Sequence, residues 1–272
     1  MWIFLFVFIQ TVTAVIPNIN TTNGDVSPCL QDFYKAAYNG KYNCTEGLDF
    51  LSNNLTTAHA AFRNGKACVL EIAKKECHQA QFNFLSEKYD DFLTVLTTKP
   101  VDNSSCTENF YYKYNGMKCS PMVVDISMKT MAIGMEDILE MNDSKLTKII
   151  DMCHAALECM EPECYYERVT KGAMRAGCSS AERRNSGYSI CRTKLKRQSP
   201  DLSPFKCLQG ANFLDDDDDV QLKLLEDNKP CVKEIMKRLC GEDYVKNFDE
   251  EADSALDWMK AIAELKAQNK GH

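Results

Sequence analysis

Lys66–Cys77 reads KACVLEIAKKEC, and a related stretch, KPCVKEIMKRLC, follows 163 residues later at Lys229–Cys240. When residues 44–77 are aligned without gaps on residues 207–240, 11 of 34 positions are identical. Four pairs of cysteines correspond, three at one offset and the fourth displaced by one residue: Cys44 with Cys207, Cys68 with Cys231, Cys77 with Cys240, and Cys29 with Cys191. Self-similarity at a fixed spacing indicates an internal duplication of one structural unit. We call Lys66–Cys77 and Lys229–Cys240 the two struts.

Each strut is predicted to be a helix, because it combines good helix formers with no glycine or proline in its middle. In the second strut Asn228 is placed to cap the helix and Pro230 falls in the first turn. Cysteines nine residues apart on a helix are separated by roughly 13 Å at about 1.5 Å per residue. A disulfide needs Cα atoms within about 7 Å, so Cys68 cannot bond to Cys77. The two cysteines therefore reach different neighbours on opposite sides of the helix.

The remaining pattern is also helical. Cys29–Tyr42 predicts a short helix that ends near Gly40, and Leu48–Phe62 predicts a weaker one, interrupted near Asn54. Apolar residues at three- and four-residue steps from Phe82 to Leu96 predict that the first strut continues past Cys77. After the second strut, Gly241 is predicted to end the helix before the corresponding apolar pattern begins. We interpret these stripes as core.

The middle of the chain is less regular. Phe110–Gly116 is an aromatic cluster between Cys106 and Cys119, which predicts a short hairpin or a packed loop. A long helical pattern begins at Pro121, and a second begins near Leu146 and is broken at Pro162. The face of the first pattern carries Met128, Met131, Met135, Ile138 and Leu139. Methionines can form an adaptable binding surface, but we interpret this stripe as core.

Met1–Ala14 resembles a signal peptide, with an apolar run followed by small residues. We expect a secreted, extracellular protein with no membrane span. The 14 cysteines contain no C-x-x-C pair, which in an exported chain indicates disulfides rather than zinc or redox chemistry. The expected disulfide residues are Cys29, Cys44, Cys68, Cys77, Cys106, Cys119, Cys153, Cys159, Cys164, Cys178, Cys191, Cys207, Cys231 and Cys240.

Five Asn-x-Ser/Thr sequons agree with export and predict N-glycosylation. They are Asn20, Asn43, Asn54, Asn103 and Asn142. Asn43 adjoins Cys44, where a bridge can obstruct the transferase.

The net charge of −7 argues against nucleic acid as a partner. Positive charge is nevertheless concentrated between Arg168 and Arg197. This stretch is either a solvated face or a contact for a sulfated glycan or an acidic protein. The candidate binding residues are Arg183, Arg184, Arg192, Lys194, Lys196 and Arg197. The five aspartates Asp215–Asp219 lack the ligand spacing of an EF-hand, and we interpret them as an exposed loop.

Motifs that would indicate catalysis are missing. The four histidines are not at metal-ligand spacing, and there is no nucleophile elbow, zinc-protease helix or phosphate loop. His154 lies beside Cys153, but an oxidised cysteine leaves it no role in a dyad. We expect no enzyme activity and no cofactor. The leading hypothesis is a non-enzymatic binding module for an extracellular protein or glycan. The alternatives are a carrier of a small apolar ligand held between helices and a hydrolase that uses a carboxylate pair.

The cysteine pattern Cys153-x5-Cys159-x4-Cys164-x13-Cys178-x12-Cys191, followed by Cys207 and the second strut, resembles a family of secreted nematode proteins, "domain of unknown function nineteen". The likeness extends upstream through the first strut and covers most of the chain. It implies a secreted helical protein with bridged cysteines. It implies no activity, so no functional residue is carried over from it.

Together these patterns predict an all-α, disulfide-stapled helical bundle in which residues 44–77 are repeated at 207–240. The expected organisation is a signal peptide (1–14), a flexible N-terminus (15–28), a first cysteine-rich unit (29–100), a helical middle segment (101–177) and a second cysteine-rich unit (178–272). We call the first cysteine-rich unit the first copy and the second cysteine-rich unit the second copy. Equivalent cysteines should pair equivalently: Cys29 and Cys44 with the strut cysteines Cys68 and Cys77, in an order left open.

Overall fold

The computed structural model describes residues 25–100, 106, 109–134 and 138–269, and over these ranges it contains helices and no strand. The all-α fold class is thereby confirmed. The sequence-based expectations for the signal peptide, for Asn20 and Asn103 and for Met135 concern residues outside these ranges. None of the helices within them is long and apolar enough to cross a membrane.

Thirteen α-helices lie within the described residues. They are α1 (Ser27–Tyr38), α2 (Leu55–Asn64), α3 (Lys66–Glu76), α4 (Gln79–Glu87), α5 (Tyr89–Thr97), α6 (Phe110–Gly116), α7 (Ser120–Gly134), α8 (Ser144–Met160), α9 (Arg168–Arg184), α10 (Gly187–Gln198), α11 (Asp218–Asp227), α12 (Lys229–Leu239) and α13 (Phe248–Asn269). Short 3₁₀ helices occupy Asn43–Thr45, Met117–Cys119, Lys206–Leu208 and Glu242–Val245. The struts are therefore α3 and α12.

The chain divides into two compact units. Unit 1 contains Met1–Met131 and Asp151–Cys178, and unit 2 contains Ala132–Ile150 and Ser179–His272. Most of the expected middle segment 101–177 thus packs in the same unit as the first copy. Residues 25–28 do not fit the flexible N-terminus expected over 15–28, because Val26 and Ser27 are buried and Ser27 begins α1.

The two copies are bridged in the same way, as expected for a duplication. In the first copy Cys29 bonds to Cys77 and Cys44 bonds to Cys68. In the second copy the equivalent bonds are Cys191–Cys240 and Cys207–Cys231. Each strut therefore carries one bridge near its start and one at its end, and no bond joins two cysteines of one strut. The prediction of equivalent pairing is confirmed.

Three further bridges lie within the middle of the chain. Cys106 bonds to Cys164, Cys119 to Cys159, and Cys153 to Cys178. All 14 cysteines are thus paired. The bridges fall into three consecutive sets, at residues 29–77, 106–178 and 191–240, and none connects one set to another.

The prediction that the first strut continues past Cys77 is wrong. Helix α3 ends at Glu76, Cys77 and His78 are extended (φ −99°, ψ 158° and φ −62°, ψ 145°), and a new helix begins at Gln79. The chain must turn here because Cys77 reaches back to Cys29 while Leu85 packs into the core of unit 1. Both copies therefore break after the strut, whether or not a glycine is present. Asn228 precedes α12 without forming a side-chain cap.

The core of the first copy is aromatic. Phe33, Phe50 and Phe62 are each 1% exposed, and the ring centroids of Phe33 and Phe62 both lie 5.0 Å from that of Phe50 in edge-on contacts. Fully burying one such side chain contributes about 1.5–3 kcal/mol. The stripe that begins at Phe82 is mostly core, as predicted: Leu85, Tyr89, Phe92 and Leu96 are buried.

The core of the second copy has fewer aromatic residues. Phe213 and Phe248 are completely buried, with the aliphatic residues of α12 packed against them. Tyr188 lies in the same cluster and its hydroxyl donates a 2.5 Å hydrogen bond to Gln221 Oε1. This bond satisfies one of the few polar side chains buried in unit 2.

The aromatic cluster Phe110–Gly116 is helix α6, not the hairpin or loop expected from the sequence. The Asn109 side chain caps its start by accepting a hydrogen bond from Tyr111 N at 2.9 Å. The helix packs closely on the first copy, where the Tyr34 hydroxyl donates to the Tyr114 carbonyl at 3.0 Å.

Candidate binding surface

Helix α7 is held firmly at its N-terminal end. The residue before it, Cys119, is bonded to Cys159, and Ser120 Oγ lies 3.1 Å from Tyr166 Oη. One turn further on, the Tyr38 hydroxyl donates to Asp125 Oδ2 at 3.0 Å. These covalent and polar contacts fix the start of the helix, so the backbone that carries its outward side chains is in place before any partner binds.

The outward face of α7 is apolar. Val123, Ile126 and Ile133 are buried, whereas Val124 is 43% exposed and Met128 is 60% exposed. Val124 and Met128 are four residues apart and therefore adjacent on the helix surface. We call these two residues the α7 face. The interpretation of Met128 as a core residue is wrong, because the helix buries a stripe that is rotated away from it.

The basic residues predicted as a binding site are largely engaged within the protein. Arg192 donates to the Phe213 carbonyl at 3.2 Å and to the Asp215 carbonyl at 2.5 Å. Lys194 donates to the Tyr244 hydroxyl at 2.5 Å. Lys196 forms an ion pair with Asp216. These three side chains stabilise the loop before α11 and the turn after α12, which leaves them less available to a partner.

Two of the three remaining candidates of that stretch also bond to groups within the protein. Arg184 donates to the Ile133 carbonyl at 3.0 Å and Arg183 donates to Ser179 Oγ at 2.9 Å. Burial lowers the pKa of Arg183 to about 10, so its guanidinium remains charged at neutral pH. Arg197 is exposed. The structure does not gather these six residues into one outward-facing patch.

The aspartate run has a local structural role that the sequence did not reveal. Asp217 accepts hydrogen bonds from Asp219 N at 2.9 Å and Val220 N at 3.1 Å, and so caps α11. Asp216 pairs with Lys196 as described above. The exposed loop predicted here is therefore also the start of a helix.

Two lysine–carboxylate pairs are buried in unit 1. Lys113 Nζ lies 3.1 Å from Asp25 Oδ2, and Lys118 Nζ lies 3.0 Å from Glu163 Oε1, with all four side chains less than 10% exposed. Burial alone raises the pKa of Asp25, but hydrogen bonds from Ser27 and from Lys113 outweigh it, and the pKa lies below its ordinary value. The Asp25 carboxylate is thus held ionised, which suits an ion pair and not a general acid.

Asp32 and Glu76 are the two remaining acids in unit 1 whose charges influence each other and whose pKa values are shifted in opposite directions. Burial and the nearby charge of Glu76 raise the pKa of Asp32. Glu76 itself accepts hydrogen bonds from Lys41, at 2.7 Å, and from the Tyr42 hydroxyl, and these lower its pKa. Asp32 is solvent-exposed, so the pair lacks the enclosed setting that such catalysis uses.

Within the described ranges the structure gives little support for a histidine-based catalytic site or a metal-binding site. His59 Nε2 lies 2.9 Å from Asn115 Oδ1, at the edge of the core of the first copy. No cluster of three or more His, Cys, Asp or Glu side chains with metal-binding geometry is present among the residues that the structure describes. His154 follows Cys153, whose sulfur is bonded to Cys178.

The three described sequons are all exposed: Asn43, Asn54 and Asn142. Asn54 Oδ1 caps α2 by accepting from Thr56 N at 2.9 Å. Asn142 has a positive φ of 60° and its backbone N–H donates to Asn185 Oδ1 at 2.8 Å. Each asparagine is thus placed at the surface, near a turn or a helix start.

The sequence was also compared with known proteins. The model of one family, described as Domain of unknown function (DUF19), matches residues 8–107 and again residues 106–263. The two matches together span all but the first seven and the last nine residues of the chain. The chain belongs to the DUF19 family. The second DUF19 match includes the middle segment with its three bridges. No curated protein and no solved structure matches the chain. With its seven disulfides, this DUF19 protein fits an extracellular, disulfide-rich protein.

Proposed function

We propose that this protein is a secreted, N-glycosylated and non-enzymatic binding module that recruits a protein partner through the α7 face. The observation that carries the proposal is the exposure of Val124 and Met128 on a helix that is anchored at its start. Partners that dock on a helix use apolar anchors spaced one helical turn apart, and Val124 and Met128 have that spacing.

Methionine favours this function for a physical reason. Its side chain is unbranched and polarizable, so it adapts to partners of different shape. The neighbouring charges on α7 are already paired, since Lys129 forms an ion pair with Asp125. A partner would therefore meet an apolar surface without having to strip water from an unpaired charge. The α7 face therefore has an energetic advantage over the basic stretch, whose cations already form hydrogen bonds and ion pairs within the protein.

Secretion and glycosylation are supported by the paired cysteines and by the exposure of Asn43, Asn54 and Asn142. The glycosylation part is tested by intact-mass analysis of the secreted protein before and after enzymatic deglycosylation. We expect mass loss at the occupied sequons and a 1 Da increase on each released asparagine. A secreted protein without any glycan would contradict it.

The binding role is tested by site-specific photocrosslinking. A photoreactive amino acid is placed at Met128 and, as a matched control, at Val169, a lone exposed apolar residue of α9 that is 68% exposed. We expect the Met128 probe to capture a specific extracellular protein that the Val169 probe does not capture. The adduct should disappear when Val124→Glu is added. Equal labelling from both positions would rule out the α7 face.

A further inference from the structure

The second copy contains a concave surface that the proposed docking face does not use. The segment Leu202–Asn212 forms an open depression of about 540 Å³. Its walls are part apolar, from Leu202, Phe205 and Leu208, and part polar, from Lys206, Gln209 and Asn212. This mixture differs from an enclosed apolar cavity and is of the size that holds small organic ligands.

The loop around the depression is preformed. Cys207, at its centre, is bonded to Cys231 of the second strut. Asp201 accepts hydrogen bonds from the backbone N–H and the hydroxyl of Ser203, both at 2.9 Å. The Arg238 guanidinium lies 5.8 Å from the centroid of the Phe205 ring, which braces that wall. A ligand would therefore meet groups that are already positioned, with little ordering to oppose binding.

The first copy supplies an internal comparison. Its loop has the equivalent bridge, Cys44–Cys68, and a short 3₁₀ helix at Asn43–Thr45. Gly47 has a φ of 76°, and its equivalent Gly210 has a φ of 87°. The two copies have thus kept the frame of this loop.

Three positions on that frame have changed their charge in the same direction. Lys206 stands where the first copy has the sequon Asn43, Gln209 where it has Glu46, and Asn212 where it has Asp49. Each exchange makes the second loop more positive by one charge. The backbone differs at the middle exchange, where Gln209 has a φ of 52° and Glu46 has a φ of −59°. At these three positions the second loop has lost two acids and a glycosylation sequon and has gained a cation, whereas Lys41 of the first loop is replaced by Pro204.

These features define the ligand. Gln209 offers an amide group to hydroxyls, and Asn212 offers its amide N–H groups, since its Oδ1 already accepts a hydrogen bond from Leu214 N at 3.0 Å. The Phe205 ring offers an apolar edge to a sugar ring, and the Lys206 ammonium is exposed and has no ion-pair partner within 4 Å among the described residues. Hydrogen bonds from Ser203 are the main cause that lowers the pKa of the Asp201 carboxyl, and the charge of Lys206 is the smallest cause. We propose that the Leu202–Asn212 depression binds a saccharide that carries a carboxylate or a sulfate group.

Titration calorimetry on the full-length secreted protein tests this directly. The probes are a hyaluronan hexasaccharide, which carries carboxylates, a heparin hexasaccharide, which also carries sulfates, and neutral chitohexaose. We expect binding of at least one acidic probe and none of chitohexaose. Equal binding of chitohexaose would overturn the proposal, and so would the absence of binding by both acidic probes. Preference for a glutamate decapeptide over both would assign the site to acidic peptides instead.

Variants locate the site. The change K206N/Q209E/N212D gives the second loop the residues of the first, and we expect it to weaken binding by about tenfold or more. The control K237N/K246N/N247D removes the same net charge from exposed positions elsewhere in unit 2, and we expect it to change affinity less than twofold. Equal losses in both variants would show a nonspecific charge effect and overturn the proposal.

Two further variants separate a specific effect on saccharide binding from a general effect on the fold. Lys206→Arg keeps the charge and should keep most of the binding, even if the triple change disturbs the fold. V124E/M128E removes the α7 face and should leave saccharide binding unchanged, because the two sites are independent. A loss of saccharide binding in V124E/M128E would contradict the assignment to the depression.

Discussion

Lys118 Nζ lies 3.0 Å from Glu163 Oε1, and the two side chains are only 2% and 9% exposed. The residues are 45 positions apart in the chain. Lys118 belongs to the 3₁₀ turn that leads into α7, and Glu163 lies in the turn after α8. The pair therefore joins the start of the helix that carries the α7 face to the segment that the Cys119–Cys159 bridge also holds.

Lys118→Met should destabilise unit 1 by about 3–5 kcal/mol, because it leaves the Glu163 carboxylate buried without a partner. The free energy of unfolding from urea titration measures this change. The double variant K118M/E163L should lose less than K118M alone, since no charge then remains buried. Lys75→Met is the control: its partner Glu71 is exposed and one helical turn away, so we expect a much smaller loss because solvent screens an exposed pair. Equal effects from K118M and K75M would show that the buried pair has no special role.

Acid should weaken unit 1 through Asp25. The pKa of Asp25 is lower in the folded protein than its ordinary value of 3.8, so at low pH the unfolded chain binds the proton more readily. The contribution of Asp25 is therefore fully present above about pH 5 and is lost as the pH falls below about 4. Urea midpoints measured from pH 7 to pH 2.5 should fall less steeply at the acid end for Asp25→Asn. An identical pH profile in D25N would contradict this assignment.

Two glycines provide a matched test of packing. A Cβ at Gly116 would lie 2.5 Å from Tyr165 Cβ, whereas a Cβ at Gly172, within α9, would meet no atom within 4 Å. Gly116→Ala should destabilise unit 1 by about 1–3 kcal/mol through overpacking. Gly172→Ala should stabilise the protein by about 0.5–1 kcal/mol, because it reduces the freedom of the unfolded chain. Thermal unfolding measures both, and the same sign in the two variants would refute the close approach of Tyr165.

The duplication predicts matched effects of removing equivalent bridges. Cys44–Cys68 and Cys207–Cys231 each close a loop with a sequence separation of 24 residues. Replacing either pair by serine should destabilise its own unit by about 2–4 kcal/mol. Hydrogen exchange read by mass spectrometry follows the two units separately. The equivalence of the two copies would be contradicted if a variant lost protection in the other unit. It would also be contradicted if only one of the two variants lost protection in its own unit.

The architecture of the copies followed from local information. The strut composition predicted both helices, and the distance between Cys68 and Cys77 along one helix excluded their bonding to each other. The order of pairing did not follow, because either Cys29 or Cys44 satisfied the same distance argument. The register of the folded copies decides it, placing Cys44 at the start of the strut and Cys29 at the end.

The candidate binding surface was harder to predict from the sequence. The α7 pattern has apolar residues on both sides, so periodicity alone did not show that Val123 and Ile126 are buried and Met128 is exposed. The buried lysines gave no signal either, since Lys113 is neutralised by Asp25, 88 residues away. A charge count also marked Arg192 and Lys196 as available, although both are engaged by the loop before α11.

The grouping of the bridges into three consecutive sets bears on how the protein is made. Each set is complete before the next cysteine of the chain is synthesised, so in the secreted protein proposed above the sets can be oxidised one after another from the N-terminal end. Three groups of four, six and four cysteines allow 3, 15 and 3 pairings respectively, far fewer than 14 cysteines oxidised together would allow. Maturation of the protein should therefore make modest demands on disulfide isomerases. A protease that cuts between two sets would leave fragments with no disulfide between them, so that a denaturant without any reductant would separate them.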